Sequence, residues 1–423
     1  MTATLFLSNI FCSCVKDDKV VSQIQLNGIN YITNPDDASS VSVTASTDPE
    51  HPYSGNVVIP STITSGGATY NVTNISNDAF TGCTGVTSVT IPNSVKVIGS
   101  NAFSGCTSLA TVTIGSGVKS IGSGAFSGCT ALVKVTLNSE AIVAKQHAPT
   151  DNIVTIFGTQ VKEYILGEDA PLSYIPQYSF SGGLSLSVVT IGKMVGFVMP
   201  NAFANCPNLT KFILNSNWVG ERSNDNTDNI GYVLGEQLKE LVIGDNVSEI
   251  GNWAFCNCPN LESVTIGDGV KSIGEGAFHS SNKLAELTIG NNVETISYMA
   301  FQNCHSLSFV EIPNSVTNIG TMAFRRCYYL SALIIGSGVT FIGDYAFEDC
   351  YSLLEVACLG EKVPSTNTRI FFNLSLQERI LYVPEAAINT YLTTEPWSDF
   401  GTIYLIASSG DEAQLRNKFM AIK

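Results

Sequence analysis

Positive charge is scarce in this chain. Only 21 Lys+Arg stand against 36 Asp+Glu, charged residues are 13% of the 423, and the formal net charge is −15. With no basic field to gather phosphates, nucleic acid is not expected as a partner. Long apolar runs are also missing. The longest, Met1 to Phe11, is too short to span a bilayer, so no transmembrane helix is expected. The twelve cysteines contain no C-x-x-C, and their only close pairs, Cys12/Cys14 and Cys256/Cys258, are C-x-C, which argues against zinc. Histidine is down to four, His51, His147, His279 and His305, and none pairs with Ser or Cys in a recognisable catalytic motif. Gly122 to Gly128 has the wrong spacing for a phosphate loop and recurs in every unit, so it is turn chemistry. Asp225 to Asn229 lacks the Gly and the closing Glu of a calcium loop. No catalytic residue, metal or cofactor is expected, and the chain is not expected to be an enzyme.

What is present is a repeat. The dipeptide Ala-Phe or its equivalent places Phe80, Phe103 and Phe126 at intervals of 23, and again Phe180 and Phe203, and Phe255, Phe278, Phe301, Phe324 and Phe347. Five residues before each stands Ile or Val, as Ile98 or Ile319; six after stands Leu or Val, as Leu109 or Leu330. Apolar residues at +9 and +11, such as Val112 and Ile114, read as a strand, and the Gly-rich stretch after it as a turn. A unit this short cannot bury its own apolar face, so the units must stack as coils around one core. Eight of the ten units carry Cys at +3: Cys83, Cys106, Cys129, Cys206, Cys258, Cys304, Cys327 and Cys350, with Gly183 and Ser281 in the others. This reads as a column of small buried residues, not of nucleophiles. Between the clusters of regular units lies a duplicated block: Leu137-Asn138-Ser139 matches Leu214-Asn215-Ser216, 77 residues on. Each copy adds one divergent coil and one loop, which brings the expected total to about twelve turns.

The pattern Ile-Gly-x-x-Ala-Phe-x-x-Cys-x-x-Leu-x-x-Val-x-Ile, as in Ile98 to Ile114, resembles the BspA-type leucine-rich repeats of bacterial surface proteins. The resemblance implies a mainly β, right-handed leucine-rich-repeat solenoid displayed outside the cell and binding a host or microbial macromolecule. Residues 20–75 are expected to form an N-terminal β cap, 76–358 the solenoid, 359–407 a C-terminal closing segment and 408–423 a tail with no assigned role. Within 1–19, Phe11-Cys12-Ser13-Cys14 resembles a lipoprotein cleavage box with Cys14 acylated, although no Lys or Arg precedes the apolar run. The lysine and two acids that follow, Lys16-Asp17-Asp18, resemble the tether of Bacteroidetes surface lipoproteins. The membrane would then be met only through a lipid.

The outward slots change along the chain. Early strands present Thr at +10, as Thr113 and Thr136, whereas Phe309 and Ile334 take slots expected to be exposed near the C-terminus. The slot after Cys runs His305, Tyr328, Tyr351, with Tyr329 and Arg325/Arg326 beside it. Trp218, on the second sister loop, is a competing position. The candidate binding residues are thus His305, Phe309, Arg325, Tyr328, Tyr329, Tyr351 and Trp218. They suit a matrix or cell-surface protein or a glycan. Two readings stand: a monomeric, lipid-anchored surface adhesin, or an architectural spacer in which the rings merely cap one another.

Overall fold

A computed structural model describes residues 22–48, 52–145, 148–217, 233–234, 236–367 and 369–421. The repeats coil into a mainly β solenoid, and the ladder runs along one side of it. Its first part is a parallel stack in chain order: β4 (Ser54–Val58), β7 (Gly85–Ile91), β9 (Thr111–Ile114), β11 (Lys134–Leu137), β12 (Glu163–Leu166), β13 (Val188–Ile191), β14 (Lys211–Leu214), β15 (Glu240–Ile243), β17 (Ser263–Ile266) and β19 (Glu286–Thr288). A five-stranded parallel sheet carries the stack on: β21 (Phe309–Ile312), β23 (Ala332–Ile335), β25 (Glu355–Cys358), β26 (Ile380–Pro384) and β27 (Thr402–Ile406).

Two-residue strands mark a second edge. β8 (Val97–Ile98) and β10 (Ser120–Ile121) extend a sheet begun by β1 (Gln23–Leu26), β2 (Ile29–Asn34), β3 (Asp37–Thr44) and β6 (Ala68–Ile75), with β5 (Thr62–Ser65) paired to β6. Farther along, β16 (Glu249–Ile250), β18 (Ser272–Ile273), β20 (Thr295–Ile296), β22 (Asn318–Ile319) and β24 (Phe341–Ile342) form another.

The solenoid has about fourteen turns where the signature predicts about twelve. β4 precedes the first Ala-Phe unit and β26 and β27 follow the last. A parallel ladder is built from backbone groups, so these coils join it without the consensus side chains.

From β7 to β17 the register holds. Ile91, Ile114, Leu137, Leu166, Ile191, Leu214, Ile243 and Ile266 pair in succession, all buried. Inside, the repeat phenylalanines stack face to face: Phe80 on Phe103 at 4.8 Å, Phe278 on Phe301 at 5.2 Å, Phe301 on Phe324 at 5.1 Å. In the first divergent coil the column passes through Phe157, supplied by the short helix α2 (Ile153–Phe157), and Tyr164. A capping box at Asn152 and Thr155 starts that helix.

The +3 slot asks for more than small size. Cys106 donates its S–H to the Phe80 carbonyl at 3.1 Å, Cys304 to Phe278 at 3.3 Å and Cys350 to Phe324 at 3.3 Å. Ser281 makes the same bond to Phe255 at 3.3 Å, which explains why a hydroxyl can replace the thiol. Each of these coils thereby satisfies a buried carbonyl of the one before it. All eight ladder thiols are buried and free. Burial pushes the Cys106 and Cys350 pKa values up to about 12, so at neutral pH they are unreactive thiols. The Ile-Gly step has an equally local cause: a Cβ on Gly122 would sit 2.4 Å from the Ser100 backbone nitrogen of the preceding coil.

Candidate functional site

The expected ring row exists. His305 stacks on Tyr328 with centroids 4.5 Å apart, and Tyr328 on Tyr351 at 5.7 Å with the planes 5° from parallel. The three side chains come from successive coils, 23 residues apart, so the coil spacing alone aligns them. Tyr351 is 56% exposed and the neighbouring Tyr329 67%.

A charged network holds the C-terminal end of the row. Asp349 accepts from Tyr351 Oη at 2.9 Å, from Asn373 Nδ2 at 2.9 Å and from Arg326 Nε at 3.4 Å. Burial works to raise the Asp349 pKa, but these donors outweigh it and hold the carboxyl below its usual range. The hydrogen bond to Asp349 raises the Tyr351 pKa, and partial desolvation with the nearby Arg326 charge lowers that of His305. Both shifts favour the uncharged forms of His305 and Tyr351, beside the Arg326 guanidinium.

Arg326 and Asp349 occupy the +2 slot, which is left-handed in every unit. Earlier coils fill it with Gly82, Gly105 and Gly128 (φ 71°, 73° and 75°), with Asn205 and Asn257 (φ 57° and 54°) or with Ser280 (φ 60°). Arg326 and Asp349 both adopt φ 60° there, a conformation that costs a side-chain-bearing residue roughly 1 kcal/mol. Here the residues at that slot in two successive coils are joined to each other. Arg325, by contrast, turns into an ion pair with the buried Glu348. Of the two adjacent arginines, Arg326 is the one beside the rings. The sequence reading missed Asp349, and missed that five of the six arginines, Arg325, Arg326, Arg369, Arg379 and Arg416, lie in the last hundred or so residues.

Phe309 and Ile334 are not exposed. They are 5% and 1% accessible because the C-terminal residues form a helix, Ser409–Met420, that lies over the outer face of β21, β23 and β25. Ser408 caps it by accepting from the Asp411 N–H at 3.3 Å. Leu415 and Phe419 insert among Phe309, Ala332, Ile334 and Ala357, with Phe309 edge-on to Phe419 at 6.5 Å. The alanines leave the room the two knobs need. Arg416 pairs with Glu311, and Lys418 Nζ with both Glu355 oxygens at 2.7 Å and with Tyr382 Oη at 3.0 Å. Phe309 is therefore core under a helix, not a contact residue, and the apolar outer slots of the late strands are explained within the chain.

Trp218, Cys14 and the acidic run Asp225 to Asn229 lie outside the described residues. Of the first sister loop, the short helix α1 (Glu140–Val143) is capped by Ser139, whose Oγ accepts from Ile142 N–H at 3.2 Å. Among the described residues there is no group of three or more His, Cys, Asp or Glu placed to hold a metal, and no helix is long and apolar enough to cross a membrane.

The sequence matches the family described as BspA type Leucine rich repeat region in six copies, over residues 60–157, 159–230, 232–354 and 277–382. Comparison with curated proteins gives no match. Among solved structures, a leucine rich cell surface protein from Faecalibacterium prausnitzii is 25% identical over 80% of this chain and 94% of its own, with a TM-score of 0.30. The pneumococcal vaccine antigen PcpA is 19% identical over 92% and 100%, with a TM-score of 0.38. A leucine-rich repeat protein from Bacteroides ovatus is 22% identical over 84% and 99%, with a TM-score of 0.26.

Proposed function

The chain belongs to the BspA-type leucine-rich repeat family, and from that premise we propose that it is a cell-surface binding protein, anchored through a lipid on Cys14, whose solenoid presents the edge around Tyr328 to a protein partner. Proteins with these repeats are generally found at the cell surface, and their fold is one used for binding rather than catalysis. The observation that carries the contact site is the stack His305–Tyr328–Tyr351 with Tyr329 open beside it and Arg326 and Asp349 held at strained backbone positions next to it. Tyr and Arg in one patch are the composition of an interaction hot spot.

A protein suits this edge better than a glycan. A sugar platform needs open ring faces, and stacking at 4.5 and 5.7 Å turns the inner faces toward one another. Ring edges, the Tyr328 and Tyr329 hydroxyls and the terminal N–H groups of the Arg326 guanidinium remain for a partner, a set that suits backbone carbonyls and carboxylates. The spacer reading draws on the same stack, since rings that cap each other need no ligand. An array of matrix proteins and glycans, probed with the full chain carrying Cys14→Ser, separates the readings. Binding to protein spots that is lost in Tyr328→Ala/Tyr351→Ala supports the contact edge. Binding retained there but lost in Trp218→Ala moves the site to the sister loop, glycan-only binding overturns the protein reading, and silence across the array favours the spacer.

A further inference from the structure

The two ends of the ladder are finished differently. At the first, β4 is bulged, with its register to β7 shifting between Gly55 and Asn56, and Pro60 follows two residues after it. Its inward residues Val57 and Ile59 are buried, together with Tyr53, Val41 and Val43 of the N-terminal segment. Bulges and prolines are standard ways of blunting an edge strand. At the last end, β27 is Thr-Ile-Tyr-Leu-Ile, with no charge, no Pro, no Gly and an unbroken five-residue register to β26. No strand among the described residues pairs with its other side.

The core is open at the same place. Ile403 and Leu405 stand opposite Leu381 and Val383, both fully buried, so theirs are inward slots. Yet Ile403 is only partly buried and Leu405 is 49% exposed. Throughout the preceding coils the same slots are sealed by the next strand; here that strand is missing from the described fold.

We propose that β27 is an association edge on which a second copy of this chain docks its own β27, antiparallel about a two-fold axis through Tyr404, so that the protein does not remain the monomer expected from its sequence. The strand reads nearly the same in both directions. In that register Ile403 faces Leu405 of the partner subunit and Leu405 faces Ile403 of the partner subunit, closing both open cores, while Tyr404 meets Tyr404 of the partner subunit on the outer face. Antiparallel pairing satisfies the outward N–H and C=O groups of both strands, and an isologous contact closes at two copies instead of growing. A parallel, head-to-tail arrangement would need the bulged β4 as its acceptor. The contact is small, and contacts much below about 1,000 Å² are weak, so the dimer belongs to high concentration or to copies crowded on one surface.

Sedimentation equilibrium of the full chain from roughly 10 µM to 1 mM, a range set by that interface size, is the test. A reversible monomer–dimer equilibrium is expected, and Leu405→Asp, whose melting curve reports retained folding, is expected to remove it. In a Cys12→Ser/Cys14→Ser background, Tyr404→Cys places two thiols directly opposite, about 4.5–5.5 Å between Cα atoms, within disulfide reach. It is expected to form a covalent dimer under mild oxidation, while Thr402→Cys, which faces Ile406 of the partner subunit, is not. A monomer at the top of the range, a dimer indifferent to Leu405→Asp and giving no crosslink in the Tyr404→Cys variant, or open-ended growth beyond two copies each overturns the proposal.

Discussion

The coil around Phe103 and the coil around Phe324 share their inward residues and part company at the outward ones. Inside, Phe, Cys and Leu recur at the same slots: Phe103, Cys106 and Leu109 in one, Phe324, Cys327 and Leu330 in the other, all buried. Outside, Gly105, Thr107, Thr111 and Thr113 are replaced by Arg326, Tyr328, Ala332 and Ile334. An inward residue meets only its counterparts in the coils before and after, about one strand spacing, ~5 Å, away, so its size is set by its neighbours' size. An outward residue answers to whatever lies over it. Over the Phe103 coil the outer strand slots are only partly buried; over the Phe324 coil lies the C-terminal helix, and at its edge a ring row with its own ion network. A repeat protein can thus keep one fold while the outer surfaces of its two halves differ.

The sharpest break of this comparison would come from the inside. Phe103→Ala and Phe324→Ala are each expected to cost roughly 3–5 kcal/mol, because both rings are sandwiched between two others. Thr288→Ala, on an exposed strand slot, is expected to cost about 0.5 kcal/mol or less. Urea midpoints that rank the exposed threonine with the phenylalanines would show that inward and outward slots have been assigned wrongly.

Phe419→Ala comes next, at roughly 2–3 kcal/mol for the lost burial, and the loss is bounded by the docking free energy of the helix. Twelve residues do not hold a helix alone, so amide exchange should show protection vanishing across 409–420 while the early coils stay protected. Protection that persists in the helix would mean that it is held by its ion pairs and not by the pocket between Ala332 and Ala357.

The smallest effect tests the strained slot. Arg326→Asn exchanges an arginine at φ 60° for the residue that earlier coils use there. Release of backbone strain, up to about 1 kcal/mol, is set against a partly exposed ion pair with Asp349 worth up to about 1 kcal/mol. The expected melting temperature is unchanged or higher, while affinity for the proposed protein partner falls. Clear destabilisation would make Arg326 a structural residue and remove the strain argument for this edge.

Most of the inner fold was legible in the residues. Ten phenylalanines at one spacing located the core column, and the cysteines three residues later located the buried thiols. Reading the Cys slot as merely small missed the hydrogen bond to the preceding Phe carbonyl, for which Ser281 was the signal in plain sight. The ring row was legible for the same reason as the core: its members are 23 apart, and contacts between adjacent regular coils print themselves on the chain at that period. Asp349 went unread because its value comes from a backbone angle and from Asn373, which lies beyond the last regular repeat.

The C-terminal helix left almost no trace. Only Leu415 and Phe419 are buried along it, too few to make a periodic pattern, and its partners are remote: Lys418 meets Glu355 from 63 residues away, and Phe419 meets Phe309 from farther still. A linear code of period 23 records which side chains face the axis, because every coil repeats the same neighbour. It does not record what folds back across the outside, since that contact is made once, between segments with no common spacing. The burial of Phe309 and Ile334 was therefore a matter for the folded chain, while the column of Phe301 and Phe324 beneath them was already written in the order of the residues.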